Sequence, residues 1–294
     1  MKKTVFTGAA TALVTPLNRD GVDFKKLEKL VEWQIKSGID ALVAAGTTGE
    51  SSTLTDAEHR DVISCVVQTS GGRVPVIAGT GSNDTAYAND LSAFAAEAGA
   101  DATLLVTPYY NKATQGGLIK SFNDTAAACK IPCILYNVPS RTGCNLQPET
   151  VAELSKTENI CGIKEAGGNI SQVAKIAALC GDSIDIYSGN DDQIIPILSL
   201  GGKGVISVLS NLVPGETSEM VHRYLDGDTS GALELQLKYL SLIDALFSEV
   251  NPIPVKAAMS AMGMCDNYLR LPLTEMEKPH EEKLLAIMRQ HHLI

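Results

Sequence analysis

A chain of 294 residues that is 45% hydrophobic and 20% charged can bury a sizeable core, which excludes a disordered tail. Its 24 basic and 34 acidic residues leave a net charge of −10, a balance that argues against nucleic-acid and anionic-membrane partners. Seven cysteines without a Cys-x-x-Cys pair argue against a disulfide framework or a zinc site, and no apolar run approaches the ~18 residues of a bilayer span.

Lys2 and Lys3 followed by an apolar stretch superficially resemble a leader peptide, but Thr4, Thr7, Gly8 and Thr11 dilute it. The segment is read as mature structure running into a first strand, 10–15. Further apolar, β-rich runs follow at 41–45, 74–78, 102–107, 133–136, 161–164, 184–187 and 204–208. Most are apolar at consecutive positions, as parallel strands buried on both faces are. Between them lie helical periods. Phe24, Leu27, Leu30, Val31 and Ile35 fall on one face, and a second helix stops at Gly99. Thr55 and Glu58 form a capping box. Strands alternating with helices predict a parallel sheet, and eight such units in about 225 residues predict a closed (β/α)₈ TIM barrel. The competing open sheet would carry a Gly-rich turn after its first strand, and Val14-Thr15-Pro16-Leu17 is not one. From about Thr229 a Leu-rich helical stretch begins, Pro252 and Pro254 interrupt it, and two more helices follow. The expected organisation is a catalytic barrel over 1–228 and a C-terminal helical region over 229–294 packed on it.

In such a barrel, ligand-handling groups come from the C-terminal ends of the strands. The second run ends in Gly46-Thr47-Thr48-Gly49-Glu50-Ser51, which is either a nest of N–H groups for a carboxylate or phosphate, or simply a tight turn. The fifth ends in Tyr136-Asn137-Val138-Pro139-Ser140-Arg141, bringing a phenol and a guanidinium to the mouth; Arg141 either forks a carboxylate or pairs with a surface acid. The sixth, Gly162-Ile163-Lys164-Glu165-Ala166, ends in a lysine. Partial burial favours a neutral amine, which attacks carbonyls; the alternatives are snorkelling or pairing with Glu165. The five histidines show no ligand spacing with one another, so no metal site is expected.

With Val106-Thr107-Pro108-Tyr109-Tyr110-Asn111 and Ser188-Gly189-Asn190-Asp191, these motifs occur in the order found in one family. The chain resembles the dihydrodipicolinate synthases, within the pyruvate-dependent class I aldolases that include N-acetylneuraminate lyase. The resemblance runs end to end. It implies a Schiff-base lyase of diaminopimelate and lysine biosynthesis that condenses pyruvate with L-aspartate 4-semialdehyde, needs no cofactor and works in the cytoplasm. It implies that Lys164 captures pyruvate, that Thr47 and Thr48 hold its carboxylate, and that Tyr136 shuttles protons with Thr47 and with Tyr110 lent by a neighbouring subunit. Arg141 would anchor the second substrate, with Gly189 and Ile206 as walls of the pyruvate pocket. A related lyase of sugar acids is the alternative; Arg141 argues against it, because a polyol would leave the guanidinium unmatched. The resemblance also implies a homo-oligomer, at least a tight dimer and commonly a tetramer. Ser51, His59, Asn83 and Tyr109 match an effector site for lysine, whereas Asp56 and Tyr87 depart from it, so weak or absent lysine inhibition is expected.

Overall fold

The computed structural model describes residues 2–294. Eight parallel strands close into a barrel: β1 (Gly8–Ala12), β4 (Ala41–Ala44), β5 (Val76–Gly79), β6 (Ala102–Val106), β7 (Cys133–Asn137), β8 (Ile160–Glu165), β9 (Asp185–Ser188) and β10 (Gly204–Ser207). β1 closes the ring by pairing β10 on one side and β4 on the other. The expected barrel is therefore present, with small shifts. The first strand starts at Gly8, and Leu17–Asn18 (β2) and Gly21–Val22 (β3) form an unanticipated hairpin beside it.

Most strand positions are apolar because each strand meets two hydrophobic environments. Ala10, Ala41, Val43, Ile77, Ile134 and Ile206 fill the inside of the barrel. Leu42, Ala44, Val76 and Val205 face the surrounding helices. Tyr187 stacks on Phe6, ring centroids 4.4 Å apart, and its hydroxyl donates to the Phe6 carbonyl at 2.8 Å.

Around the barrel run α1 (Phe24–Lys36), α2 (Asp56–Ser70), α3 (Thr85–Glu97), α4 (Gln115–Cys129), the short α5 (Pro139–Thr142), α6 (Pro148–Leu154), α7 (Ile170–Cys180), α8 (Ile194–Leu198) and α9 (Pro214–Leu225). Beyond them lie α10 (Thr229–Leu246), α11 (Ile253–Ala261) and α12 (Lys278–Gln290). Pro254 sits in the first turn of α11, where a missing N–H costs little, so this helix begins earlier than periodicity suggests. The three last helices share one core with Val14, Leu30, Val208, Leu209 and Leu212, which fastens them over one side of the barrel. All seven cysteines are unpaired, and only Cys65 is not buried. No helix among the described residues is long and apolar enough to cross a membrane.

The capping box at the start of α2 forms as read: the Thr55 side chain accepts from Glu58 N, and Glu58 accepts from Thr55 N. The same carboxylate accepts from the Arg270 guanidinium, at 2.7 Å for Nη1, and this holds Glu58 down to about 2 from an ordinary 4.5. A carboxyl depressed in the folded state stabilises above its unfolded value, and that contribution fades as pH falls from about 4.5 towards 2. Arg270→Met is accordingly expected to lower stability at neutral pH and to flatten the acid loss in that window, read as urea midpoints against pH. An unchanged slope would assign the acid sensitivity elsewhere.

Candidate active site

The C-terminal ends of the strands enclose a cavity of about 160 Å³, lined among others by Thr47, Thr48, Tyr136, Arg141, Lys164 and Gly189. Lys164 and Tyr136 are register partners on β8 and β7, so both point the same way into the barrel. The Lys164 Nζ lies 4.4 Å from the Tyr136 ring centroid, and each residue is only 6% exposed. Pairing with Glu165 is ruled out by the pleat. One residue on, Glu165 turns to the other face and accepts from Asn137 Nδ2 at 3.1 Å and Gly167 N at 2.8 Å. Burial pushes its carboxyl up, and these donors oppose the rise.

Gly189 gives Lys164 its space. A Cβ there would stand 2.6 Å from Ala166 Cβ and 3.0 Å from Lys164 Cε. Asp191, after β9, accepts through Oδ2 from Val208 N at 3.0 Å and Leu209 N at 2.9 Å just past β10, which fixes Val208 on the cavity wall. Asp191 is fully buried, and that burial raises its carboxyl. Ile206, the other expected wall position, lies on β10 fully buried among the side chains that fill the barrel.

The 46–51 loop forms the tight turn. Gly49 N and Ser51 N donate to Gly46 O, and Glu50 N donates to Thr47 O, which closes a tight turn. The N–H groups of Thr47 and Thr48 have no backbone partner among the described residues. Glu50 sits in the left-handed region at φ 56° with its side chain fully buried against the Lys256 ammonium. Lys256 also donates to Tyr268 O at 2.7 Å, and Arg270 N donates to the second oxygen of Glu50 at 3.2 Å. Burial lowers the Lys256 ammonium from its ordinary value, and the Glu50 carboxylate pulls it back up.

Arg141 sits on α5 with no carboxylate paired to it among the described residues; its Nη2 donates to Asn251 O at 3.3 Å. Asn251 bridges onward, its Nδ2 donating to Thr48 Oγ1 at 3.0 Å, while its buried Oδ1 has no partner among the described residues. Asn251, Glu50 and Lys256 were missed from sequence. The one available signal was a lysine inside the apolar run Pro254-Val255-Lys256-Ala257-Ala258.

This cavity lined by Lys164 and Arg141 has counterparts. A model of the Dihydrodipicolinate synthetase family matches residues 5–291. The chain belongs to the dihydrodipicolinate synthetase family. A 4-hydroxy-tetrahydrodipicolinate synthase of Acetivibrio thermocellus is 52% identical to this family member over 294 residues, all of both chains. One of Lachnoclostridium phytofermentans is 55% identical over 293 residues, 99% of each. The crystal structure of dihydrodipicolinate synthase from Thermotoga maritima superposes with a TM-score of 0.97 at 39% identity, covering 99% of this chain and 100% of that one.

Two groups of expected site residues lie outside this family member's cavity. Tyr110 is 92% exposed, in the left-handed region at φ 71°, so one chain alone does not assemble the Thr47–Tyr136–Tyr110 relay. Of the effector residues, His59 Nε2 is 2.8 Å from Gly79 O, and Asn83 Nδ2 donates to Tyr109 O at 3.1 Å. Burial lowers the His59 imidazole. Ser51 begins the short 3₁₀ turn after the loop. Asp56 is already engaged, accepting from Tyr87 OH at 3.0 Å and from Arg60 Nε at 3.0 Å.

Proposed function

We infer that the chain condenses pyruvate with L-aspartate 4-semialdehyde through an imine on Lys164. The observation that carries this reading is the buried Lys164 amine 4.4 Å from the Tyr136 ring in a small cavity that Thr47 and Thr48 also line. The names of the curated relatives support it. As the free amine, Lys164 adds to the keto carbon of pyruvate, and water leaves. The resulting cationic imine draws electrons from the pyruvate methyl group, which loses a proton to the Tyr136 relay and gives an enamine, whose carbon attacks the aldehyde. The amine of the second substrate then displaces Lys164 and closes the ring. Tyr136 passes the protons with the Thr47 hydroxyl, and Thr47 and Thr48 hold the pyruvate carboxylate. The reaction uses the chain's own residues and the two substrates, without a cofactor.

Arg141 receives the carboxylate of the semialdehyde. Its lack of a protein carboxylate partner supports this, as does the unpartnered Asn251 Oδ1, an acceptor suited to the substrate's amino group. Arg141→Ala is expected to leave borohydride trapping of pyruvate intact while raising KM for the semialdehyde at least about tenfold, since a charge-assisted bidentate contact is lost. Equal loss of both activities would remove Arg141 from this role.

A neighbouring subunit completes the site with Tyr110, whose exposure and left-handed backbone suit insertion into a partner; this makes at least a dimer the working form. Leu233 and Leu237 on α10, 46% and 59% exposed, supply an apolar stripe for a second interface and hence a tetramer. Seven unpaired thiols suit a cytoplasmic location. Ser51, His59, Asn83 and Tyr109 frame an effector site in which Tyr87 occupies the Asp56 carboxylate, leaving a lysine ammonium poorly paired. Steady-state rates are expected to change less than twofold at submillimolar lysine; strong inhibition there would overturn this assignment.

A further inference from the structure

At the end of the strands away from the catalytic cavity, two thiols stand in contact. Cys129 closes α4 and Cys133 opens β7, and their sulfurs are 3.4 Å apart. Between them Lys130, in the left-handed region at φ 59°, turns the chain back on the helix. Thr103, the register partner of Cys133 on β6, is fully buried, and its hydroxyl has no hydrogen-bond partner among the described residues. A buried donor is costly unless something beside it accepts, and here only the two sulfurs are near enough, donation from Thr103 lowering both thiols. A thiolate or the oxygen of an oxidised sulfur would accept from it. Donation from the Cys133 S–H lowers the Cys129 thiol, and the same contact together with burial raises Cys133.

The surroundings select the reagent. Cys129 is 4% exposed and Cys133 fully buried, so a bulky disulfide has no approach. A depression of about 1020 Å³ lies alongside, lined by Lys130, Pro132, Asn159 and Cys161. Asn159 forms the wall between, its Nδ2 donating to Ala126 O at 2.8 Å and Ile131 O at 3.0 Å and lying 3.9 Å from Cys133 Sγ.

We propose that Cys129 and Cys133 are an oxidisable dithiol that closes to an intramolecular disulfide, with a small hydroperoxide as the oxidant. The Cys129 sulfur attacks one peroxide oxygen, the O–O bond breaks, and the other oxygen leaves as an alcohol or water after taking the Cys129 proton. Thr103 donates to the sulfenic acid oxygen. The Cys133 sulfur then attacks the Cys129 sulfur, the S–O bond breaks, and the hydroxyl leaves as water with the Cys133 proton. Two thiols lose two electrons, and one hydroperoxide gains them. A disulfide requires the sulfurs about 2.05 Å apart, so closure needs about 1.3 Å of travel from the observed contact.

The experiment treats the full-length protein with hydrogen peroxide, then denatures it and alkylates it. Intact mass is expected to show alkylation falling from seven sites to five, recovering to seven after dithiothreitol. Trypsin cleaves after Lys130 and so separates the two cysteines onto peptides 121–130 and 131–141; these are expected as one linked pair that reduction releases. In Cys133→Ser the linked pair should be absent, with Cys129 trapped as sulfenic acid by dimedone. Retention of seven alkylations, oxidation confined to the more exposed Cys65, or a link from Cys133 to Cys161 would each overturn the proposal.

Discussion

Lys164→Arg is expected to abolish borohydride-dependent addition of pyruvate to the protein and to lower turnover by at least about 10³-fold, the scale on which a covalent nucleophile is lost. Arginine keeps the positive charge and a similar length, so a purely electrostatic or packing role would survive the change. Imine formation would not, because a guanidinium stays protonated and does not add to a keto carbon. The folded structure should tolerate the substitution locally, since Lys164 lines the cavity and makes no ion pair in contact among the described residues. Circular dichroism and the oligomer's elution volume serve as controls. Retained mass increment with pyruvate, or retained turnover, would shift the chemistry to another amine.

Lys256→Met is expected to cost about 3–5 kcal/mol of stability, the usual penalty for removing one partner of a buried ion pair. Both side chains are fully buried, so methionine fills the space but leaves Glu50 charged without its counter-ion. The damage should reach the active site. Glu50 ends the turn that presents Thr47 and Thr48, and a loosened turn raises KM for pyruvate more than it lowers kcat. The Glu50→Gln, Lys256→Met double variant removes the orphaned charge and is expected to recover most of the stability in urea titrations. If the double variant is as unstable as the two single losses added together, the pair is not coupled as the contact implies.

The barrel was legible because its signal is local. Consecutive apolar residues in runs such as Leu104-Leu105 and Ile134-Leu135 report a strand buried on both faces, and alternation with helical periods leaves few topologies. The hairpin at Leu17–Asn18 and Gly21–Val22 went unseen because two-residue strands carry no period to read. Thr47, Thr48, Tyr136, Arg141, Lys164 and Gly189 line one cavity because each lies near the C-terminal end of a strand or in the loop or helix that follows it. How deep Ile206 lies was not legible, since a sequence gives the face of a strand residue but not its depth along the barrel axis.

The sequence by itself determined the strand and helix order, the closed parallel sheet and a lysine at the end of β8. These follow from periodicity and backbone preference over a few residues at a time. Only the tertiary structure decided that Glu50 meets Lys256 across 206 positions of chain and that Asn251 bridges Thr48 to Arg141. It also decided that Tyr110 faces outward and that Cys129 touches Cys133. Such pairings exist only after the ring closes and α11 settles on it. Burial then makes each unpaired charge or polar atom expensive, and partners distant in sequence are the ones close enough to satisfy it.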